Sequence, residues 1–303
     1  MQLPESAVVP AAITERRVKT YSFEELLQLT FPPETHIIGS GLLSKNSVMA
    51  LFAPPKNYKS FALNTIIMQL LTGGNLFNVQ RNHARQIEHV YPVIPVKRVL
   101  LLEQEIGLQD TQERWIQLHK TLPNHEQEIV KKGFFLRSCD YDLRFDSMIG
   151  IHKIRSIVSE IRPDILCIDP LTKFHTSEEN SPSEMGKIML ELRKMIHDFD
   201  TTVILIHHTG KNEDGKEGLD LLRGASSIAA DIDTGLAIHV INKPASILWA
   251  DVVTRRGKPL PSFKLKLDHQ TLRTEFHGWT KSKETYQQEA AISQVQEITK
   301  KEQ

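Results

Sequence analysis

Residues Val48 to Thr65 read V-M-A-L-F-A-P-P-K-N-Y-K-S-F-A-L-N-T. The apolar run Val48 to Ala53 has the look of a strand buried on both faces. A turn follows at Pro54-Pro55-Lys56-Asn57-Tyr58, and Lys59-Ser60 opens a helix with apolar positions Phe61, Leu63, Ile66, Ile67 and Leu70. Strand, loop, Lys-Ser and helix in this order are the layout of a phosphate-binding loop. The first turn of such a helix offers unpaired N–H groups and a positive dipole end to an anion. Lys59 is expected to reach the β- and γ-phosphates of a nucleotide, and the Ser60 hydroxyl to hold Mg²⁺. The whole stretch Pro54, Pro55, Lys56, Asn57, Tyr58, Lys59, Ser60 and Phe61 is the candidate nucleotide cradle.

The match departs from G-x-x-x-x-G-K-[ST] at both glycines, where Ala53 and Tyr58 stand. Glycine is favoured at the second position because the backbone there comes close to the phosphates without a Cβ in the way. Tyr58 fits only with a negative φ or with its strain offset elsewhere. The octapeptide alone is weak evidence, so the rest of the chain has to decide.

The chain has 303 residues, 40% hydrophobic and 24% charged, an ordinary globular composition with room for one large α/β domain or two small ones. No apolar run approaches the roughly 20 residues of a membrane span. Met1 to Arg17 carries no signal-peptide core, so a cytoplasmic protein without membrane association is expected. The two cysteines, Cys139 and Cys167, form no metal or redox spacing, and Cys167 reads as inert core. Formal net charge is zero, so any contact with DNA must come from local basic clusters.

Taken in order, residues 1–35 read as an arm with one short helix, opened by a capping box at Ser22-Phe-Glu-Glu25. The phosphate-loop helix stops near Gly73-Gly74. Residues 75–97 show no period and read as a loop or insertion. Val99 to Leu102, Phe134 to Leu136, Ile165 to Asp169 and Thr202 to Ile206 are strand-like. Helical spacing marks Leu108 to Leu122, Ile151 to Ile161 and Met185 to Phe199. Thr234 to Ile241, Ile247 to Arg255 and Ser262 to Leu267 suggest antiparallel hairpins. The expected organisation is an α/β core over 36–280, mainly a parallel sheet flanked by helices with antiparallel strands at its C-terminal end. A polar tail over 281–303, read as helical, follows.

Chemistry in such sheets sits at the carboxyl ends of the strands. Lys59, Glu105, Asp169 and His208 all fall at or just past predicted strand ends. Asp169 closes an apolar strand and is the candidate Mg²⁺ carboxylate, with Ser60 as the second metal residue. A second carboxylate must orient the attacking water; Glu105 is the candidate, with Glu103 as competitor because strand alternation puts both on one side. His208 is placed to sense the γ-phosphate. Arg255-Arg256-Gly257-Lys258 offers a guanidinium that a neighbouring subunit would use against transition-state charge.

The stretches A-P-P-K-N-Y-K-S, V-L-L-L-E-Q-E-I-G, I-L-C-I-D-P-L, I-L-I-H-H-T-G-K, R-G-A-S-S and T-R-R-G-K-P span roughly residues 36 to 268. In this order they resemble the RecA-like P-loop ATPases, and most of all the plasmid RepA-type hexameric replicative helicases and their phage and mobile-element relatives. The resemblance implies ATP and Mg²⁺ as cofactors, with Lys59 and Ser60 as the Walker A pair. It implies Glu105 as catalytic glutamate, Asp169 as Walker B carboxylate and His208 as sensor. Arg255 or Arg256 would be the finger acting in trans. It further implies that Thr209 to Leu222 is a central-channel loop. There Lys211 and Lys216, with Arg223 of the R-G-[AS]-S motif beside them, would face single-stranded DNA.

The function so implied is a ring-forming motor on single-stranded DNA, a replicative helicase that works with separate initiator or primase proteins. The rival readings are a recombination or strand-annealing ATPase of the same fold, and a slow nucleotide-gated scaffold in a defence or partition complex.

Overall fold

The computed structural model describes residues 20–30, 36–83, 86–178, 181–208, 228, 231–254 and 261–279. The chain divides into two compact units, Met1–Pro33 and Glu34–Gln303. The first holds a single described helix, α1 (Phe23–Gln28), with both halves of the capping box read from the sequence. The Glu25 N–H donates to Ser22 Oγ (3.2 Å), and the Ser22 N–H donates to Glu25 Oε2 (2.8 Å).

The second unit begins with β1 (His36–Ile38), β2 (Leu43–Ser44), β3 (Val48–Ala53) and α2 (Lys59–Thr72). It continues through β4 (Gly74–Asn75), β5 (Gln80–His83), β6 (Gln86–His89), β7 (Pro92–Val93) and β8 (Val99–Glu103). Then come α3 (Leu108–Lys120), α4 (Asn124–Gly133), β9 (Phe134–Ser138), α5 (Met148–Ile161), β10 (Ile165–Asp169), α6 (Pro182–Phe199) and β11 (Thr202–His208). Four strands close it: β12 (Thr234–Asn242), β13 (Ile247–Thr254), β14 (Phe263–Leu267) and β15 (Thr274–Trp279).

Nine of these strands form one sheet in the order β15-β14-β13-β12-β3-β11-β10-β8-β9. The six from β12 to β9 are parallel, and the β12-β13-β14-β15 meander is antiparallel. Every residue of β3, β8 and β10 is buried, as strands covered on both faces must be. One apolar core lies on the α2 side of the sheet, with Leu63, Ile66 and Leu70 over Met49 and Leu51 and with Trp115, Leu118 and Val130 beside them. The other lies under α5 and α6, where Met185, Met189 and Met195 pack as core on Leu166, Ile168 and Leu205. Cys167 is buried as expected.

One expectation is corrected, and two elements were not foreseen. Residues 75–97 are not a plain loop: β4 and β7 join β1 and β2 in a four-stranded sheet, and β5 pairs with β6. Strands of two to four residues are too short to show a period. Buried amides organise the segment instead: Gln69 Nε2 donates to the Asn75 carbonyl (3.0 Å), and the Tyr91 N–H donates to Asn75 Oδ1 (2.9 Å). Two further elements, α4 and β15, had no expected counterpart. The edge strand β15 is tied to α2 by the Thr274 N–H, which donates to Thr65 Oγ1 (3.0 Å).

Candidate nucleotide site

Four neighbouring strands, β3, β11, β10 and β8, deliver their carboxyl ends to one place. The register sets His208 opposite Ala53, and Asp169 opposite Glu103. The loop from Pro54 to Tyr58 leaves β3 there and turns into α2.

The loop's path follows from its residues. Lys56 and Tyr58 both take the left-handed conformation, with φ of 63° and 58°. Of the two ways read for Tyr58, a negative φ or strain offset elsewhere, the structure takes the second: tyrosine adopts the backbone that glycine would, at a cost of about 1–2 kcal/mol. Two contacts offset it. The Tyr58 ring lies edge-on to Phe61 and to His269, 6.1 Å from each centroid. Asn57 staples the loop, donating from Nδ2 to the Pro55 carbonyl (3.1 Å) and accepting the Val240 N–H at Oδ1 (2.7 Å).

Lys59 is buried, and its ammonium donates to the carbonyls of Ala53 and Pro54, both at 2.8 Å. His208 Nδ1 lies 3.0 Å from Lys59 Nζ. An ammonium only donates, so this ring is neutral with its proton on Nε2. Burial and the Lys59 charge both hold the His208 pKa below the ordinary imidazole value. The expected histidine pair divides across the sheet. His207 is buried, and it is pushed down to about 4 by burial and then by His208, His175 and Lys59.

Asp169 is buried and accepts a hydrogen bond from the Ser60 side chain, while its Oδ1 has no hydrogen-bond partner. Burial pushes this carboxyl up to about 7, with the charges of Glu105 and Glu103 adding to the shift. An orphaned, buried carboxylate oxygen beside a hydroxyl fits a divalent cation. Ser60 and Asp169 would hold it, and Mg²⁺ so bound supplies charge neutralisation for the phosphates. Among the described residues there is no group of three or more His, Cys, Asp or Glu that could hold a metal alone. The remaining ligands would thus be water and phosphate oxygens, the usual manner for Mg²⁺.

The two glutamates separate. Strand β8 ends at Glu103, and the alternation expected to carry Glu105 onto the same side stops there. Glu103 is buried, and its Oε1 accepts the N–H groups of Glu105 and Ile106, both at 2.6 Å. Its Oε2 accepts from the hydroxyls of Ser138 (3.2 Å) and Thr111 (3.4 Å). Glu105 is exposed, and its charge acts on both Asp169 and His208.

The structure thus brings together Lys59, Ser60, Glu105, Asp169 and His208. Lys211, Lys216, Arg223, Arg255 and Arg256 lie outside the described residues. The sequence reading missed Asn57 as the loop's staple, Ser138 and Thr111 as supports of Glu103, and Arg114 above Phe61. All are tertiary contacts without a spacing to announce them.

A family model described as an AAA domain matches residues 14–214. The chain belongs to that family. No curated protein matches it. Among solved structures, this AAA domain chain is similar to one described as an ATPase domain, with a TM-score of 0.55 at 14% identity, covering 84% of this chain and 95% of that one. It is also similar to a DnaB-like replicative helicase whose structure was described with its interactions with primase. There the TM-score is 0.54 at 13% identity, covering 80% of this chain and 61% of that one. The AAA domain chain therefore has the fold of a RecA-like P-loop ATPase, resembling that of replicative helicases. No helix among its described residues is long and apolar enough to cross a membrane.

Proposed function

We propose that the protein is an Mg²⁺-dependent ATPase that assembles into a ring, in the expected case a hexamer, and moves on single-stranded DNA. It would serve as a replicative helicase of a plasmid or other mobile element. The observation that carries the ATPase reading is Asp169 Oδ1, buried without a partner beside Ser60, Lys59 and His208. An unpaired buried carboxylate oxygen is costly unless a cation comes to it.

In this reading the N–H groups of the loop and of the first turn of α2 bind the phosphates. Lys59 turns from the Ala53 and Pro54 carbonyls to the β- and γ-phosphates, Glu105 orients the water, and His208 detects the γ-phosphate that Lys59 then holds. Arg255 or Arg256 would complete the site from a neighbouring subunit. The helicase part rests on the order of motifs and on fold likeness to the two solved structures, the ATPase domain and the DnaB-like helicase. Initiator and primase proteins are the expected partners.

Electron microscopy of the protein with a non-hydrolysable ATP analogue and a single strand, beside a strand-displacement assay, tests it. Closed rings with ATP-dependent displacement are expected. An open filament would favour the recombinase reading, and a monomer without displacement the scaffold.

A further inference from the structure

We infer that Cys139 is a positioning residue for Glu105: with the turn that ends β9, it holds both ends of the short turn that carries the water-orienting carboxylate. The inference rests on the ATPase reading above and names what aims that carboxylate.

Glu105 is exposed and stands just past the end of β8. A group that keeps a water in line with a phosphate tolerates little movement, and a misplacement of about 1 Å costs on the order of 100-fold in rate. The turn that carries it is fixed from one side. Strand β9 lies beside β8 at the outer edge of the nine-stranded sheet, with Ser138 opposite Glu103. The residues at its end, Ser138, Cys139 and Asp140, bond to Glu103, Gln104 and Ile106. The Ser138 hydroxyl donates to Glu103 Oε2 (3.2 Å), and the Cys139 N–H donates to the Glu103 carbonyl (2.9 Å). Gln104 Nε2 donates to the Asp140 carbonyl (2.6 Å). The Cys139 thiol donates to the Ile106 carbonyl (3.2 Å).

Cys139 thus bonds on either side of Glu105. Its N–H continues the β8–β9 ladder, and its side chain takes up a carbonyl beyond the ladder's end. Its backbone is left-handed, with φ of 54°, a conformation that a residue with a Cβ keeps only where its surroundings impose it. The Gln104 N–H donates in turn to the Asp169 carbonyl (3.0 Å). The gripped turn is therefore also fastened to the strand end that bears the candidate metal carboxylate. Core packing does not account for the thiol: Cys167 is buried in the sheet, whereas Cys139 is half-buried at its edge. A thiol is a weak donor, so what its bond supplies is the direction of the turn more than stability.

The test separates hydrolysis from binding. Single-turnover hydrolysis, thermal melting and calorimetric titration with the Mg²⁺ complex of a non-hydrolysable ATP analogue are measured on the whole protein. The set is the wild type, Cys139→Ala, Cys139→Ser, Glu105→Gln and the Cys139→Ala, Glu105→Gln pair. Cys139→Ala is expected to hydrolyse ATP roughly three- to tenfold more slowly. It should bind the analogue within about twofold of the wild type, because Glu105 acts mainly in the transition state. Cys139→Ser keeps a donor and should recover most of the rate. With Glu105→Gln already present, Cys139→Ala should slow nothing further, since its effect passes through that carboxylate. Capping wild-type Cys139 with a methanethiosulfonate reagent, which the fully buried Cys167 escapes, should slow hydrolysis reversibly on treatment with dithiothreitol. That measurement keeps the test open should the alanine variant not fold. Full rate in the alanine variant or the capped protein, a serine variant no faster than alanine, or additive slowing in the Glu105→Gln background overturns the inference while leaving the ATPase reading standing. No hydrolysis by the wild type, or normal turnover in Glu105→Gln, removes the role read for Glu105 and this inference with it.

Discussion

Glu103 holds Glu105 in place: the buried carboxylate accepts the backbone N–H of the exposed one at 2.6 Å. Two residues that the sequence leaves as rivals thus differ in place, Glu103 a buried support and Glu105 the exposed candidate for the chemistry. Glu105→Gln is expected to bind ATP normally and to lose hydrolysis by at least roughly 100-fold, since a water-orienting group acts mainly in the transition state. Glu103→Gln should instead destabilise the fold by roughly 1–3 kcal/mol, because charge-assisted bonds to two N–H groups are weakened. Thermal unfolding and single-turnover hydrolysis of both variants separate the roles. Normal turnover in Glu105→Gln with none in a stably folded Glu103→Gln would reverse the assignment.

Asp169 sets an opposition between stability and activity. Its folded pKa of about 7 lies above the ordinary carboxylate value of 3.8. The protein therefore keeps this contribution in full below about pH 4 and loses it as pH rises through 7. Asp169→Asn should then melt higher than the metal-free wild type at pH 8, by the equivalent of roughly 1–3 kcal/mol, while losing hydrolysis. Added Mg²⁺ with nucleotide should raise the wild-type melting point and leave that of the variant nearly unmoved. Equal melting points at pH 8 without metal would show that the buried charge is compensated.

His207 gives the reverse sign. Its pKa is depressed from 6.5 to about 4, so its contribution is complete above pH 6.5 and lost as pH falls toward 4. Its full size is on the order of 3 kcal/mol. Denaturant titrations between pH 7 and pH 4 should show a smaller acid loss in His207→Gln than in the wild type. Parallel curves would mean that the ring is charged in the folded state.

At Tyr58 two effects nearly cancel. Tyr58→Gly relieves a left-handed backbone worth about 1–2 kcal/mol and removes edge-on ring contacts worth about 0.5–1.5 kcal/mol. Stability should change by less than about 1 kcal/mol, and ATP binding by no more than about tenfold. Loss of all nucleotide binding would show that the ring does more than stack.

The channel loop and the finger are tested in solution. Replacing Lys211 and Lys216 by alanine should lower the salt slope of single-strand binding by roughly one to two units while DNA-free hydrolysis stays the same. Mixing Lys59→Ala protein with the Arg255→Ala, Arg256→Ala double variant should restore part of the activity at mixed interfaces. No recovery at any ratio would count against a finger in trans.

The parallel core and its strand-end residues were legible because they rest on local patterns. An apolar run ending in Asp169 or in His207-His208 shows its strand and its candidate site residue together. What stayed hidden depends on distance along the chain. Nothing near Glu103 announces that Ser138, 35 residues on, donates to it. Nothing in the proline-rich loop predicts that Asn57 will meet Val240, 183 residues away. The segment 75–97 was opaque for another reason: its two- to four-residue strands are specified by Asn75 and Gln69 from inside, not by alternation.

The Asn57 staple also makes one amide into a reporter. The pairing of β12 with β3 stops at Ala237 and Phe52, and beyond it the Val240 N–H is received by a side chain of the phosphate loop. Exchange of that proton with deuterium requires the loop to let go. A single amide signal on β12 therefore times the opening of a loop almost two hundred residues earlier, without a label on the loop itself.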